Sequence, residues 1–360
     1  MQTDTDQGFW QAFQRHVAGD VPIYLISGVI LGTCFGLFWA FDIGPTGLEG
    51  VPRNTRLYLA AALAMAFADI GWQLARHRPA APARFLLDLY SARVADPAVL
   101  AKLPLLAIMI AFMGVFSTLK SMIPLFNDFD WDPAFIAWDR MLFLGHHAAD
   151  ALQPLVGYPL VTSLLAILYH AWIMLIYVGI LFFLFYRVAA PVGRQYFLCF
   201  MLIWALIGGG LATVFASVGP CFVGPLLGDT SFDAHMAYLE AANAQFPVPT
   251  LHVQDLLLQW HHEGERGLGS GITAMPSMHV AMAQLTWLGM RRVSRAAGWW
   301  FFAFFVVIWI GSVHLAYHYA VDGLVSVIAT TAIWRGCGAL LRAWDRRIPF
   351  LFRDQVALAA

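Results

Sequence analysis

Residues 299–341 read WWFFAFFVVIWIGSVHLAYHYAVDGLVSVIATTAIWRGCGALL. Two apolar runs, Trp299 to Tyr317 and Tyr319 to Leu341, come to about the 20 residues a helix needs to cross the hydrocarbon core of a bilayer. At their junction stand His318, between the runs, and Asp322, near the start of the second, with His314 one turn before His318. Ionisable groups at such a junction are expensive to keep, so they point to function.

The rest of the chain has the same character. Of its 360 residues 60% are hydrophobic and only 12% charged, which is a membrane composition. Six further apolar runs appear, at Ile23 to Phe41, Leu57 to Ala75, Leu103 to Ile123, Leu160 to Tyr186, Gln195 to Val218 and Ala274 to Met290. The last is the most polar of them, carrying Ser277, His279, Gln284 and Thr286. The expected fold class is therefore all-α, a polytopic membrane protein of about eight transmembrane helices.

A net charge of −1 with no basic stripe or acidic tail excludes nucleic acid as a partner. Charge matters here by location. Of the 21 basic residues, 16 lie at alternate ends of the runs, leaving Arg53, Arg56, Lys120, Arg140 and Arg266 at the opposite ends. Lys and Arg are retained on the cytoplasmic side, so the chain is expected to be an integral protein of a bacterial inner membrane with both termini cytoplasmic. The first run begins late and lacks a small-residue cleavage pattern, so no removable signal peptide is expected. Cys34, Cys199 and Cys337 sit within runs and only Cys221 reaches the outer side, so no intramolecular disulfide is expected.

Arg84 to Leu100 reads as an interfacial helix, with Phe85, Leu86, Leu89 and Val94 set against Arg84, Asp88 and Arg93. Two long outer connections, Pro124 to Pro159 and Gly219 to Thr273, are candidates for function. The first mixes Trp and Asp, including Asp132, Trp138, Asp139 and Arg140, as a structured segment lying on a surface would.

The second connection leads into GITAMPSMHV at Gly271 to Val280. Pro276 is placed to open a helix at its first position, which puts Ser277 and His279 in a first turn where free N–H groups attract an anionic oxygen. Alternatively, Ser277 is only a cap and His279 only an interfacial residue. At the other junction His318 and Asp322 are four apart, a spacing that on a helix lets the carboxylate hold one imidazole nitrogen and leave the other free to attack. His314 would share that face, so a metal half-site of His314, His318 and Asp322 is a second reading and a purely structural cluster a third. Both elements fall on the same side of the membrane by the basic-residue assignment. Lipid phosphate chemistry and transport of a lipid-linked intermediate, as by a flippase, both remain open on the residues alone.

PSMH at Pro276 to His279 and HYAVD at His318 to Asp322 resemble two motifs of the type 2 phosphatidic acid phosphatase (PAP2) superfamily. KSMIP at Lys120 to Pro124, WDRMLFLG at Trp138 to Gly145, GPCF at Gly219 to Phe222 and HLAYHYAVDG at His314 to Gly323 look most like the branch related to inositol phosphorylceramide synthases. The resemblance implies a six-helix catalytic core at 103–341, preceded by an N-terminal segment at 1–102 with two transmembrane helices and an interfacial helix, and followed by a cytoplasmic tail at 342–360. It further implies His318 as the nucleophile that forms a phosphohistidine, Asp322 as its orienting partner, His279 as the acid for the leaving oxygen, and Ser277 as a phosphate ligand. No cofactor or metal is implied; the partners would be a lipid phosphate with water or an alcohol acceptor. The sequence departs from the family where the phosphate clamp belongs: no Lys-Arg-Pro signature precedes PSMH, and Ser312 stands where an arginine is expected. Lys120, Arg140, Arg266 and His314 are the available substitutes.

Overall fold

The computed structural model describes residues 2–43, 50–263 and 271–348, and every regular element among them is a helix. The principal helices are α1 (Gln2–Ala40), α2 (Gly50–His77), α3 (Pro82–Val94), α4 (Pro97–Leu100), α5 (Leu103–Ser121), α6 (Asp132–Leu142) and α7 (Ala148–Val156). They continue with α8 (Pro159–Phe185), α9 (Ala190–Leu202), α10 (Asp233–Asn243), α11 (Pro249–Glu263), α12 (Met278–Val293), α13 (Arg295–His314) and α14 (Ala320–Arg347). Seven helical segments are long and apolar enough to cross a membrane, so the chain is an integral membrane protein. The expected run at Ala274 to Met290 becomes α12, whose 16 residues span only about 24 Å at about 1.5 Å per residue, short of a core of about 30 Å.

The chain divides into two compact units. The first comprises Met1–Gly114, Tyr177–Leu198 and Arg335–Ala360. Within it Asp20 is fully buried and pairs with both Lys102 and Arg194, and Arg194 also binds Asp345 at 3.0 Å. A buried carboxylate is tolerable there because two cations share it. The expected interfacial helix at Arg84 to Leu100 is in fact two. It breaks at Ala95 and Asp96, where the Asp96 side chain accepts from Ala98 N at 2.9 Å and caps a new helix opened by Pro97. No residue of α3 is buried, as suits a segment lying on a surface.

The second unit, Val115–Ile176 and Cys199–Trp334, holds the candidate site residues Lys120, Ser277, His279, His314, His318 and Asp322. Its two long connections are folded: α6 and α7 occupy the first, α10 and α11 the second. Phe135, Phe222, Leu239, Ile272, Met275 and Tyr319 form a buried core under them. α12 and α13 make a tight antiparallel pair in which Ser294 caps α13 by accepting from Ala297 N at 3.0 Å and Trp287 stacks on Phe305 at 5.9 Å. Gly219 has a φ of +86° and a Cβ there would meet the carbonyl of Tyr317 at 2.6 Å, so only glycine fits the GPCF segment.

Candidate active site

α13 ends at His314, and the five residues to Tyr319 form a turn before α14 begins at Ala320. The Ser312 carbonyl accepts the N–H groups of both Tyr317 and His318 at 3.1 Å, and Ala316 takes a φ of +60° to close the turn. His318 therefore precedes the last helix and Asp322 lies in its first turn. They still meet: His318 Nδ1 is 3.1 Å from Asp322 Oδ2, which also accepts from Tyr319 N at 3.1 Å. A carboxylate oxygen can only accept, so Nδ1 carries the proton and Nε2 is left with its lone pair. His318 is 6% exposed and Asp322 fully buried.

Two aspartates hold this junction from a distance. Asp132 and Asp139 are seven apart on α6 and so share a face. Asp139 accepts from Ala320 N at 2.8 Å and Val321 N at 2.9 Å, capping α14 from another helix. Asp132 accepts from Val218 N at 2.8 Å, Gly219 N at 3.0 Å and the Tyr319 hydroxyl at 2.7 Å, tying the GPCF segment to the HYAVD turn. Burial pushes both carboxyls above their usual value, and their hydrogen-bond donors pull them back. Replacing Asp139 by alanine would leave the buried Val321 N–H and the part-buried Ala320 N–H without their partner, a loss of about 1–3 kcal/mol for the buried group alone. The expected result is a lower thermal unfolding midpoint in detergent and reduced turnover. An unchanged midpoint would remove Asp139 as the anchor of α14.

His279 comes to the same place. It lies in the first turn of α12, its ring centroid 6.0 Å from that of His318 at a 62° interplanar angle. Lys120, at the end of α5, and His170 are close enough to act on it electrostatically. Of the expected basic phosphate ligands among the described residues, Lys120 is the one whose charge acts on His279. Arg266 lies outside the described residues.

The other expectations are corrected. Arg140 is exposed and its Nε donates to Gly145 O at 3.1 Å, about a quarter-turn round α6 from Asp132 and Asp139; among the described residues it makes no ion pair with those aspartates and no hydrogen bond to the histidines. His314 does not share a helical face with His318, because α13 stops at His314. Its Nε2 is hydrogen-bonded to Thr162 Oγ1 at 2.8 Å and its carbonyl accepts from His235 Nε2 at 2.8 Å, so it has a structural place in the wall. Burial lowers the titration of His235, consistent with a neutral ring whose Nε2–H donates to that carbonyl. Among the described residues no group of three or more His, Cys, Asp or Glu could hold a metal ion. Pro276 precedes α12 instead of opening it, and Ser277 is the N-cap, its Oγ 3.4 Å from Val280 N. Ser277 is fully buried and its carbonyl accepts from Ser326 Oγ at 2.9 Å, so it fastens α12 to α14.

The sequence reading missed Asp132 and Asp139 as anchors, and it missed Tyr169 and Trp172 of α8, which lie against His279 with centroids at 4.2 Å and 4.1 Å. The seven-residue spacing of the aspartates, with apolar Phe135 and Ile136 on the same face, was the available signal. Nothing local marks Tyr169 and Trp172 within an aromatic-rich span.

A family model described as the PAP2 superfamily matches residues 133–335, from the start of α6 into α14, more than half of the chain. Comparison with curated proteins and with solved structures returned no match. The matched segment contains His279, His318, Asp322 and Asp139 in the arrangement just described. This chain belongs to the PAP2 superfamily and so to the membrane proteins that handle lipid phosphoesters as phosphatases or phosphotransferases.

Proposed function

We propose that the protein cleaves a lipid-linked phosphoester through a phosphohistidine at His318 and passes the phosphoryl group to water or to an alcohol. The observation that carries this is the 3.1 Å contact of His318 Nδ1 with Asp322, which leaves Nε2 as the nucleophile with His279 beside it. In the first step Nε2 attacks phosphorus, the ester P–O bond breaks, and His279 gives a proton to the departing lipid oxygen. In the second, the acceptor hydroxyl attacks phosphorus, its proton passes to His279, and the P–N bond breaks to restore His318. Asp322 stabilises the charge that develops on the His318 ring.

Lys120 supplies the positive charge for the phosphate oxygens, with the positive end of α12 beside it. It does so as a point charge, in place of the bidentate arginines the family pattern would supply. The resemblance of KSMIP, WDRMLFLG and GPCF to inositol phosphorylceramide synthases favours headgroup transfer over hydrolysis. On the distribution of basic residues both termini are cytoplasmic, and the reaction faces the outer side of an inner membrane. Lys102 and Arg194, both in the cytoplasmic set, gather with Asp345 around Asp20, which supports a common side for them.

The test is incubation of the detergent-solubilised protein with a panel of lipid phosphates, with and without polyol or lipid alcohol acceptors, scoring free phosphate against transferred headgroup. Turnover is expected with at least one lipid, and transfer is expected to outrun hydrolysis once the right acceptor is present. A folded protein that turns over none of them would leave a transporter as the better reading, because transport needs no chemistry.

A further inference from the structure

His318 has a carboxylate to orient it, but among the described residues no hydrogen bond holds either nitrogen of His279. What holds the ring is a pair of aromatic faces. Tyr169 is nearly parallel to it, 16° apart with centroids at 4.2 Å, and Trp172 is inclined at 34° with centroids at 4.1 Å. Two rings each about 4 Å from one imidazole centroid must both lie over its faces, and they would overlap if they shared one. The imidazole therefore sits in a slot between them.

Tyr169 and Trp172 are three apart on α8, so one side of a single helix supplies both walls. The slot is itself braced. Tyr317, next to the nucleophile, stacks on Tyr169 at 5.3 Å and 13°, and Trp204 lies beyond Trp172 at 6.4 Å and 27°. Tyr169 is 2% exposed and Trp172 9%, so neither wall can swing away into open space.

We infer that Tyr169 and Trp172 are positioning residues for the leaving-group acid. This rests on His279 having the acid role described above. The slot does two things that a hydrogen-bonding partner would otherwise do. It confines the ring to its own plane, which keeps an edge nitrogen directed away from the walls and available to the ester oxygen. The negative faces of the two rings also offset, by cation–π attraction, part of the burial and of the Lys120 charge that push the imidazole toward its neutral form. A carboxylate partner would stabilise the charge more strongly but hold the proton back. The aromatic faces leave both nitrogens free to exchange it.

The test compares leaving groups. An alkyl phosphoester needs an acid to release its alcohol, whereas a nitrophenyl phosphate releases a stable phenolate without one. Replacing Trp172 by leucine is expected to lower kcat on the alkyl ester by about tenfold or more while changing kcat on the nitrophenyl ester by no more than about threefold. Trp172→Phe keeps a π face and should restore most of the alkyl activity. In a His279→Ala background Trp172→Leu should have no further effect on the alkyl ester, since the group it serves is gone. Trp172→Met fills similar volume without a π face and takes the place of the leucine variant should that one fail to fold. Equal losses on both esters, or a full additional loss in the His279→Ala background, would overturn the positioning role. Failure of the underlying reading looks different: wild-type protein would then form no phosphoenzyme from the nitrophenyl ester at all.

Discussion

Replacing His318 by alanine is expected to reduce turnover of a lipid phosphoester by about 10⁴-fold or more, because removing a covalent nucleophile removes the whole two-step path. Its Nε2 is the ring nitrogen left free at the HYAVD turn, since Nδ1 is committed to Asp322, and the His314 ring is fully buried and fastened to Thr162 through its own Nε2. The fold should survive, because the turn is held mainly by backbone bonds to the Ser312 carbonyl and by Asp132 and Asp139. Rapid acid quench with labelled substrate should trap a phosphoenzyme in the wild type and none in the variant. The wild type should keep its activity in EDTA. Phosphoenzyme in the variant, or a requirement for added divalent metal, would sink the mechanism.

Asp322→Asn should be the second largest effect, a loss of about 10²–10⁴-fold in the rate of phosphoenzyme formation, by analogy with the orienting aspartate of hydrolase triads. An amide can still accept from Tyr319 N, so the start of α14 should hold. It cannot secure the Nδ1–H tautomer as a carboxylate does, nor stabilise the positive ring that forms when Nε2 attacks. Single-turnover quench measures the chemical step, and thermal unfolding checks that stability is close to wild type. A variant that phosphorylates at the normal rate would take Asp322 out of the mechanism and leave it a capping residue.

The four-residue spacing of His318 and Asp322 predicted their pairing, and they do pair, but not for the reason of a shared helical face. The turn places His318 just before α14, and the side chain reaches forward to its first turn. The same helical reasoning failed for His314, because the capture of two N–H groups by the Ser312 carbonyl ends α13 there. A pattern of types and intervals cannot announce a helix end made by neither glycine nor proline. Arg140 failed differently: on α6 its neighbour Asp139 faces inward, so at about 100° per residue Arg140 is turned out to solvent.

The sequence by itself determined the membrane class, the order of the spans and the two motifs that meet at the site. Each of these is written in contiguous residues, as apolar length or as a short polar pattern. Tertiary structure alone decided what holds the motifs in place. Asp132 reaches Tyr319 across 187 positions and Val218 across 86, and a carboxylate in a polar-looking connection gives no sign that it will be buried against backbone N–H groups elsewhere. Tyr169 and Trp172 are equally silent, since an aromatic side chain that faces lipid and one that cradles a histidine have the same composition. Which of the two it becomes depends on which face of α8 turns toward α12, and that is settled by packing.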